Sequence, residues 1–283
     1  MLYFHVDVFS DKVLSGNGLT VVLVDKEIED PVLLRIAQEF RQFETVFVYQ
    51  KKTDYYPVRV FTVQEELPFA GHPIIGTAAV LHDCYFNSAE RQEIKIGLGE
   101  QRIIRLQSTV NNGKYSVVMN QGIPRFINKI DKTEYKKLSG YFNLSEKDIS
   151  REYPVEVVST GLEYILIPVI TNLENAEITK SGLESYIQKH SAKFAYLFNP
   201  ETLECRCWDN TGAYEDIATG SAAGPLISYL VKNGYYRKDE KVRITQGKYL
   251  NRESIISGWV SSKEQDVYIE GNVTFFGKGE ISI

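Results

Sequence analysis

The segment Arg59–Leu81, RVFTVQEELPFAGHPIIGTAAVL, decides the fold of this chain. Its first residues alternate like a β-strand, two glutamates follow, and Gly71-His72-Pro73 then begins an apolar helix. Glycine permits a sharp turn, and proline fits a first helical turn because its missing N–H leaves no bond unmade. The N–H groups at such a helix start attract anions. The segment therefore predicts a strand, a loop and an anion-attracting helix start, with an ordinary connection as the alternative.

A second segment, Glu215–Leu230 (EDIATGSAAGPLISYL), again has acidic residues, a turn of small residues and an alanine-rich helix. The offset between the copies is 149 residues at the helix starts and 143 residues between GLTVVLV and GLEYILI, which begin at Gly18 and Gly161. The aligned pairs are Gly71 with Gly220, Glu66 with Glu215, His72 with Ser221, Arg59 with Arg206 and Phe61 with Trp208. This sustained offset predicts a duplicated domain. We expect the two helix N-termini to face each other across the interface between the halves and to form a pocket.

The length and composition agree with two domains. At 283 residues, the chain is long enough for two domains of roughly 140 residues each. Hydrophobic residues make up 43% of the chain and charged residues 24%, which is typical of soluble globular proteins. The formal charge is −5 and no basic cluster is present, so neither nucleic acid nor a membrane is an expected partner.

The cysteines and the N-terminus predict a cytoplasmic location. Cys205 and Cys207 alternate along one expected strand, and three cysteines do not predict a disulfide framework. The CxC pair lacks further Cys or His neighbours and is a weak signal for a metal site. The first residues, MLYFHVDVF, carry His5 and Asp7 and do not resemble a signal peptide. No apolar run approaches the ~18 residues of a membrane span.

Hydrophobic periodicity predicts two successive sets of strands and helices. The expected helices are 31–40 with Asp30 as N-cap, 72–84, 183–189 and 221–232. The expected strands are 3–9, 19–24, 45–49, 58–62, 93–96, 101–106 and 115–119, then 155–158, 163–169, 193–198, 205–208, 241–245, 254–259, 266–270 and 273–276. The predicted domains are 1–125 (first repeat) and 151–283 (second repeat), joined by a linker with short helices at 126–150. The predicted fold is α+β, with two pseudo-symmetric domains that each curl a mixed β-sheet around a central helix.

Five segments carry a resemblance to a known family. They are VDVFSDKVLSGNGLTVVLVD, RQFETVFVY, RVFTVQEELPFAGHPIIGTAAVL, EDIATGSAAGPLISYL and QGKYLNRES. In this order, from Val6 to Ser254, they resemble the phenazine-biosynthesis PhzF-like family, which has the diaminopimelate-epimerase-like fold. The GHP and ATGSAAGP motifs, half a chain apart, are the specific ones. The resemblance implies an active site in the cleft between the domains, a homodimer, and neither a metal nor an organic cofactor.

Glu44 matches the catalytic glutamate of that family. The resemblance implies a single general acid/base that removes a proton from carbon and returns it elsewhere on the same face of the substrate. Phe43 and Phe47 are the neighbours expected to desolvate it, although Phe43 replaces a residue that is often small and polar. Without the resemblance, Glu44 is read as a surface carboxylate at the start of a strand.

His72 matches the histidine of the GHP turn, and Asp216 matches the aspartate before ATGS. The resemblance implies that both reach the substrate, where each can hydrogen-bond an amine or hydroxyl or relay a proton. Helix capping is the alternative role for both. The residues expected to bind a substrate carboxylate through backbone N–H and hydroxyl groups are Gly71, Thr219, Gly220 and Ser221.

Other polar residues near these motifs have plainer interpretations. Glu65, Glu66 and Glu215 are read equally well as solvated loop charges, and Asn17 as a structural residue of the turn between the first two strands. Epimerases and racemases of this fold use two opposed thiols, one beside each helix N-terminus. Here the corresponding positions are His72 and Ser221, so a two-thiol mechanism is not expected.

The resemblance implies a cofactor-independent isomerase that shifts a proton on a small carboxylate-bearing, cyclic amino-acid-like substrate. The best-known reaction of the family isomerises trans-2,3-dihydro-3-hydroxyanthranilate. Two other functions stay open. One is an amino-acid epimerase that uses Glu44 with a second base such as His72 or Asp216, and the other is a metabolite-binding protein without turnover. A likeness of fold alone does not decide between them.

Overall fold

The computed structural model describes residues 1–68, 70–99 and 102–283. The α-helices are α1 (Asp30–Phe40), α2 (Gly71–Tyr85), α3 (Tyr135–Tyr141), α4 (Leu183–Lys189) and α5 (Gly220–Lys232). The strands are β1 (Leu2–Val8), β2 (Asn17–Leu23), β3 (Glu44–Val48), β4 (Tyr56–Phe61), β5 (Glu66–Leu67), β6 (Arg91–Leu98), β7 (Arg102–Asn111), β8 (Lys114–Gly122), β9 (Arg125–Lys129), β10 (Glu156–Ser159), β11 (Glu163–Pro168), β12 (Phe194–Phe198), β13 (Glu204–Cys207), β14 (Val242–Gln246), β15 (Ser254–Val260) and β16 (Val267–Glu280). Phe69 in the segment Arg59–Leu81 and Gln101 in the expected strand 101–106 lie outside the described residues.

The chain separates into two compact units. Unit 1 contains Met1–Asn120 and Glu270–Ile283, and unit 2 contains Gln121–Ile269. In unit 1 the strand order is β1-β2-β3-β4-β6-β7-β8-β16, and β16 pairs back with β1 from Val8↔Val273 to Leu2↔Glu280. Helix α2 contacts β1, β2, β3, β6 and β7. Unit 1 is therefore a closed sheet around a central helix.

In unit 2 the strands follow the order β15-β14-β13-β12-β11-β10-β9, and α5 contacts β15, β10 and β11. Most of α5 is buried, from Gly220 to Leu230 except for Ser221. A second hydrophobic core includes Tyr135 and Leu138 of α3 and Tyr186 of α4, packed on buried strand residues such as Val157 and Leu197. Unit 2 is therefore also a mixed sheet with a central helix.

The internal repeat predicted from the sequence is confirmed by the pairing of strands inside each unit. In unit 1, β1–β2 is antiparallel, β2–β3 parallel, β3–β4 antiparallel, β4–β6 parallel and β6–β7 antiparallel. In unit 2, β10–β11, β11–β12, β12–β13, β13–β14 and β14–β15 have the same senses in the same order. Helix α2 follows β4 as α5 follows β13. The predicted α+β fold with two pseudo-symmetric halves is therefore correct.

The structure corrects the predicted boundaries of the domains. Residues 126–150, predicted as a linker, belong to unit 2, because Ile130, Phe142 and Ile149 are buried in its second core. Residues 270–283, predicted as part of the second repeat, belong to unit 1, because they pair with β1. The strands predicted at 266–270 and 273–276 form one strand, since Gly271 continues the strand where the Phe9 ring leaves no room for a Cβ atom.

The ends of α1 and of a short helix test the capping signals. Helix α1 begins at Asp30, which was predicted as its N-cap; the N-cap position is Glu29, whose side chain makes no cap hydrogen bond. In the region predicted to hold short helices, Ser145 and Asp148 form a capping box around the 3-10 helix Glu146–Asp148. Asp148 also accepts hydrogen bonds from Thr171 Oγ1 and Asn172 Nδ2, at 2.7 Å each.

Candidate active site

Small residues place the N-terminus of α2 against the first two strands. A Cβ atom on Gly76 would lie 2.5 Å from Leu19 Cδ2 and 2.8 Å from Val8 Cγ2, so only glycine permits this approach of helix and sheet. The parallel register of β2 and β3 pairs Leu19 with Glu44. Asn17 and Glu44 therefore stand at the same end of neighbouring strands, where α2 begins.

Glu44, His72 and Asn17 form one polar cluster in unit 1. Glu44 Oε2 lies 3.1 Å from His72 Nε2, and Asn17 Nδ2 lies 3.3 Å from His72 Nδ1. The side chains of His72 and Glu44 are 7% and 16% exposed, so the carboxylate is largely withdrawn from solvent but still reachable. The structure therefore brings together two of the three predicted catalytic residues and adds Asn17, which the sequence indicated only as a turn residue.

The hydrogen bond from Asn17 defines the tautomer of His72. The Asn17 amide nitrogen can only donate, so Nδ1 of the ring must accept, and the neutral imidazole then carries its proton on Nε2. Nε2 lies 3.1 Å from Glu44 Oε2, which is an ion-pair distance. Asn17 is fully buried, which removes competing water from this contact. Asn17 thus orients His72 so that its protonated Nε2 lies beside Glu44, the expected acid/base.

The surroundings of Glu44 differ from the sequence prediction in one respect. Phe43, expected to desolvate the carboxylate, is 39% exposed. Phe47 is buried, but in the cluster that contains Leu33 and Phe61 under α1. Phe43 precedes β3 and is exposed, so it contributes little to the burial of Glu44, the first residue of that strand. The neighbour that the structure places beside the carboxylate is His72, at the start of α2.

A second polar cluster surrounds the N-terminus of α5 in unit 2. Thr219 Oγ1 donates to Asp216 Oδ2 at 2.7 Å, and the Ala218 N–H donates to Asp216 Oδ1 at 3.3 Å. Gln246 contacts the same turn: its Nε2 donates to the Asp216 carbonyl at 2.8 Å and to Thr219 Oγ1 at 3.0 Å. Asp216 and Thr219, both predicted from the ATGS motif, therefore lie together, with Gln246 behind them.

Ser221 and Gly220 lie at the first two positions of α5. The Ser221 hydroxyl shares a 2.7 Å hydrogen bond with the hydroxyl of Tyr164, which is buried on β11. Gln121 Nε2 donates to the carbonyl of Gly220 at 2.9 Å. Both α2 and α5 therefore present a polar side chain at their second residue, His72 or Ser221, each held by a residue of a neighbouring strand.

Two arginine–glutamate pairs occupy equivalent positions of the repeat and precede α2 and α5. Arg59 forms a two-point contact with Glu66, with 2.8 Å between Nε and Oε1, and Arg206 forms one with Glu215, with two bonds of 2.7 Å. The interpretation as a solvated loop charge is therefore wrong for Glu215, whose side chain is 10% exposed, whereas Glu66 is paired with Arg59 but stays 41% exposed. Arg206 also donates hydrogen bonds to three backbone carbonyls, and its guanidinium carbon lies 4.5 Å from the centre of the Trp208 ring. These contacts satisfy the donors of a buried arginine.

The cysteines do not supply a pair of thiols at the helix N-termini. Cys84 lies near the end of α2, and Cys205 lies in β13. Cys207, which the sequence did not place near the site, is hydrogen-bonded to Thr219, although burial raises the pKa of its thiol far above the ordinary value. Across residues 1–68, 70–99 and 102–283, no group of three or more His, Cys, Asp or Glu side chains is arranged to hold a metal ion. Within the same ranges, no helix is long and apolar enough to cross a membrane.

Sequence reasoning missed three residues of these clusters. From the sequence, Asn17 is expected only to hold the turn between the first two strands, and Gln246 is part of the QGKYLNRES motif without an expected role. An amide side chain beside a site motif was the signal that could have been used for both. For Tyr164 no signal was available, because a tyrosine in an apolar strand is usually part of the core.

Comparisons with known proteins identify the family. A family model described as phenazine biosynthesis-like protein matches residues 6–279. The chain belongs to this family. It is 28% identical to the trans-2,3-dihydro-3-hydroxyanthranilate isomerase of Pseudomonas chlororaphis over 99% of this chain and 98% of the relative. The expected resemblance to the PhzF-like family is therefore confirmed.

Solved structures agree with the family and the fold. A predicted epimerase from Pseudomonas aeruginosa is 34% identical, with a TM-score of 0.92 over 100% of this chain and 99% of that chain. A phenazine biosynthesis protein of the PhzF family from Bacillus anthracis is 22% identical, with a TM-score of 0.82 over 100% of this chain and 99% of that chain. Because the second identity is low, that likeness supports the fold alone.

Proposed function

We propose that this member of the phenazine biosynthesis-like family is a cofactor-independent isomerase in which Glu44 shifts a proton on a small carboxylate-bearing substrate. Relatives that span the whole chain are named isomerases, and one is named for trans-2,3-dihydro-3-hydroxyanthranilate. The proposed substrate is a cyclic amino acid of that kind. The observation that carries the proposal is the 3.1 Å contact between Glu44 Oε2 and His72 Nε2.

The proposed reaction needs one group that can both accept and return a proton. Glu44 takes a proton from a substrate carbon, the electron pair of that C–H bond moves into the neighbouring π-system, and Glu44 returns the proton to another carbon on the same face. No atom is gained or lost. General acid–base catalysis contributes roughly 10²–10⁴-fold, so stabilisation of the carbanion-like state must supply the rest of the rate.

The other residues have supporting roles in this proposal. The Nε2–H of His72 donates to Glu44 or to a substrate hydroxyl or amine, because Asn17 occupies the other ring nitrogen. Asp216 accepts a hydrogen bond from the substrate. The groups proposed to bind a substrate carboxylate are the backbone N–H and hydroxyl groups at the helix starts, which are those of Gly71 in unit 1 and of Thr219, Gly220 and Ser221 in unit 2.

The test is solvent deuterium incorporation with trans-2,3-dihydro-3-hydroxyanthranilate, followed by a screen of cyclic and branched amino acids in heavy water. We expect wild-type protein to incorporate deuterium and Glu44→Gln to lose at least ~10²-fold of the rate, because the amide cannot accept the proton. Glu65→Gln, on the exposed loop before β5, is the matched control and keeps the wild-type rate. Circular dichroism and thermal unfolding check that each variant is folded.

Several outcomes would contradict the proposal. Normal incorporation by Glu44→Gln would remove the catalytic role of Glu44. A product of inverted configuration from an enantiopure substrate would show an epimerase instead. Saturable binding of these carboxylates without any exchange would show a binding protein.

A further inference from the structure

Gln246 is a buried amide that makes hydrogen bonds with both of its polar atoms. It is the last residue of β14 and has no exposed surface. Its Nε2 donates to the Asp216 carbonyl at 2.8 Å and to Thr219 Oγ1 at 3.0 Å. Its Oε1 accepts from the Thr219 N–H at 3.1 Å and from the Tyr196 hydroxyl at 2.9 Å. An amide with two donors and two acceptor positions is thus fully used.

These partners leave a single orientation for the Gln246 amide. The backbone N–H of Thr219 can only donate, so the atom facing it must be Oε1. The carbonyl of Asp216 can only accept, so the atom facing it must be Nε2. Reversing the amide would place two donors together and two acceptors together. Because both would be buried, each mismatch would leave a polar group unsatisfied.

The orientation of the amide decides where the Thr219 hydroxyl proton goes. Because Gln246 Nε2 donates to Thr219 Oγ1, that oxygen is an acceptor on this side, and its single proton is directed to Asp216 Oδ2 at 2.7 Å. The nearby Cys207 thiol does not compete strongly. It is directed at the Ala195 carbonyl at 3.4 Å, and a neutral thiol is a weaker acceptor than a carboxylate.

We propose that Gln246 is a positioning residue that fixes the direction of the hydrogen-bond chain Gln246–Thr219–Asp216. The chain makes Oδ2 of Asp216 an acceptor from Thr219 and holds the carboxylate in one rotamer. This inference rests on the proposed role of Asp216 in substrate contact. Gln246 acts through Thr219, by donating a hydrogen bond that the threonine hydroxyl passes on in the same direction.

The direction of the chain can be observed without any turnover. Neutron diffraction from wild-type crystals exchanged into heavy water shows the deuterium on Thr219 Oγ1 and the two on Gln246 Nε2. We expect the Thr219 deuterium to lie on the line to Asp216 Oδ2. A deuterium directed at Gln246, or an amide in the reversed orientation, overturns the proposal.

The kinetic test uses Gln246→Glu, which keeps the size of the side chain but replaces the donor with an acceptor. We expect kcat for proton exchange to fall by roughly tenfold, the effect of losing one hydrogen bond, and thermal unfolding measures the loss of stability that the buried carboxyl also causes. In a Thr219→Val background, where the chain is already broken, the same change should cost less than about twofold. Tyr196→Phe, which removes only a second donor to Oε1, is the matched control and keeps kcat within about twofold.

The results separate this inference from the proposed function. If wild-type protein exchanges protons and the two substitutions have additive effects on kcat, Gln246 does not act through Thr219, and this inference alone fails. If Gln246→Glu leaves kcat unchanged, this inference also fails, while the proposed function stands. If wild-type protein exchanges no substrate proton, the proposed function fails, and the neutron map still decides the direction of the chain.

Discussion

At the scale of single residues, Asn17 determines which nitrogen of His72 faces Glu44. The amide donates to Nδ1 at 3.3 Å, which leaves the proton of the neutral ring on Nε2, beside the carboxylate. An aspartate at this position would accept a hydrogen bond from Nδ1 instead and would favour the charged imidazolium. The residue at position 17 therefore determines whether His72, which contacts the proposed acid/base Glu44, carries its proton on Nε2.

We predict that Asn17→Asp changes the protonation of His72 and lowers kcat for proton exchange by roughly tenfold, the effect of one charge-assisted hydrogen bond. Nitrogen NMR of the imidazole rings should show unprotonated Nδ1 in wild type and protonated Nδ1 in the variant. His82 is the internal control, because its ring nitrogens contact Ser108 and the Ala89 carbonyl and should not respond. An unchanged His72 signal in the variant would contradict this assignment.

Asp148 is a second residue whose environment has a measurable consequence. Burial by itself would raise the pKa of its carboxyl, but hydrogen bonds from Thr171, Ser145 and Asn172 outweigh burial and lower the pKa to about 2, from 3.8. Because the pKa is lower in the folded state, the carboxylate stabilises the fold fully above pH 4. This contribution, of about 2 kcal/mol, is lost as the pH falls from 4 towards 2.

We predict that Asp148→Asn lowers the free energy of unfolding by about 2 kcal/mol at neutral pH and that the difference from wild type shrinks towards pH 2. Urea unfolding at pH 7, 5, 4, 3 and 2 measures it. The control is Asp131→Asn at an exposed N-cap, where hydrogen bonds from Thr133 also lower the pKa but solvent screens the charge, so we expect a smaller pH-dependent effect. A difference that is independent of pH would show that the effect of Asp148 is steric.

At the scale of elements, the two arginine–glutamate pairs hold the turns that precede α2 and α5. They occupy equivalent positions in the repeat but differ in burial: the side chains of Arg206 and Glu215 are 8% and 10% exposed, whereas those of Arg59 and Glu66 are 27% and 41% exposed. Removing one partner of a buried pair leaves an uncompensated charge, whereas an exposed pair is largely replaced by water.

We predict that Arg206→Met destabilises the protein by about 3–5 kcal/mol and that the matched substitution Arg59→Met costs about 1 kcal/mol or less. Chemical unfolding of both variants measures the difference. Since Glu215 directly precedes Asp216, Arg206→Met should also lower proton exchange, whereas Arg59→Met acts mainly on the loop before α2. Equal losses of stability in the two variants would contradict the role assigned to burial.

The sequence predicted the long elements well and the connections less well. Gly71 and Gly220 marked both helix starts, because glycine permits the sharp turn that leads into each helix. Helix 183–189 was predicted at its correct bounds from apolar spacing alone. The strand β9 was missed because RFINK carries charges at both ends and only one strongly apolar pair. Strand β16 was divided because Gly271 and Asn272 resemble a turn when the Phe9 ring that requires the glycine is unknown.

The candidate site was predictable only where motifs carry chemistry. Glu44, His72 and Asp216 were found from the resemblance, because acid, histidine and aspartate side chains have few structural roles at such positions. For Asn17 the sequence predicts only a structural role in a turn, and for Gln246 it predicts no role, because an amide gains its function from partners that are distant in sequence. Gln246 is 30 residues from Asp216 and 50 from Tyr196. The pocket predicted from the repeat and the homodimer both stay predictions.

At the scale of the whole molecule, the C-terminal residues complete the unit that begins at the N-terminus. Residues 273–280 pair with β1, and the backbone of Ile281 exchanges hydrogen bonds with Met1 at 2.8 Å. Without them, β1 would present an unpaired edge, and such edges promote aggregation. The end of the chain therefore contributes to the stability of unit 1 rather than forming a tail.

We predict that a chain ending at Ile269 loses the fold of unit 1 and aggregates, whereas removal of Ser282 and Ile283 alone is tolerated. Size-exclusion chromatography and thermal unfolding of the two truncated proteins measure this, and the full chain gives the reference. The measured mass of the full chain, against 32.3 kDa for one copy, also tests the expected homodimer. A folded, soluble protein that ends at Ile269 would show that the pairing of β1 with β16 is dispensable.

The closing strand also fixes the order in which the protein can mature on the ribosome. Domains generally fold as units while synthesis proceeds, and the N-terminal one usually finishes first. Here the sheet of unit 1 waits for its last partner until translation has reached residue 280, after all of unit 2 has been made. The half that is synthesised first is thus completed last, and the edge of β1 that faces β16 stays unpaired throughout that interval.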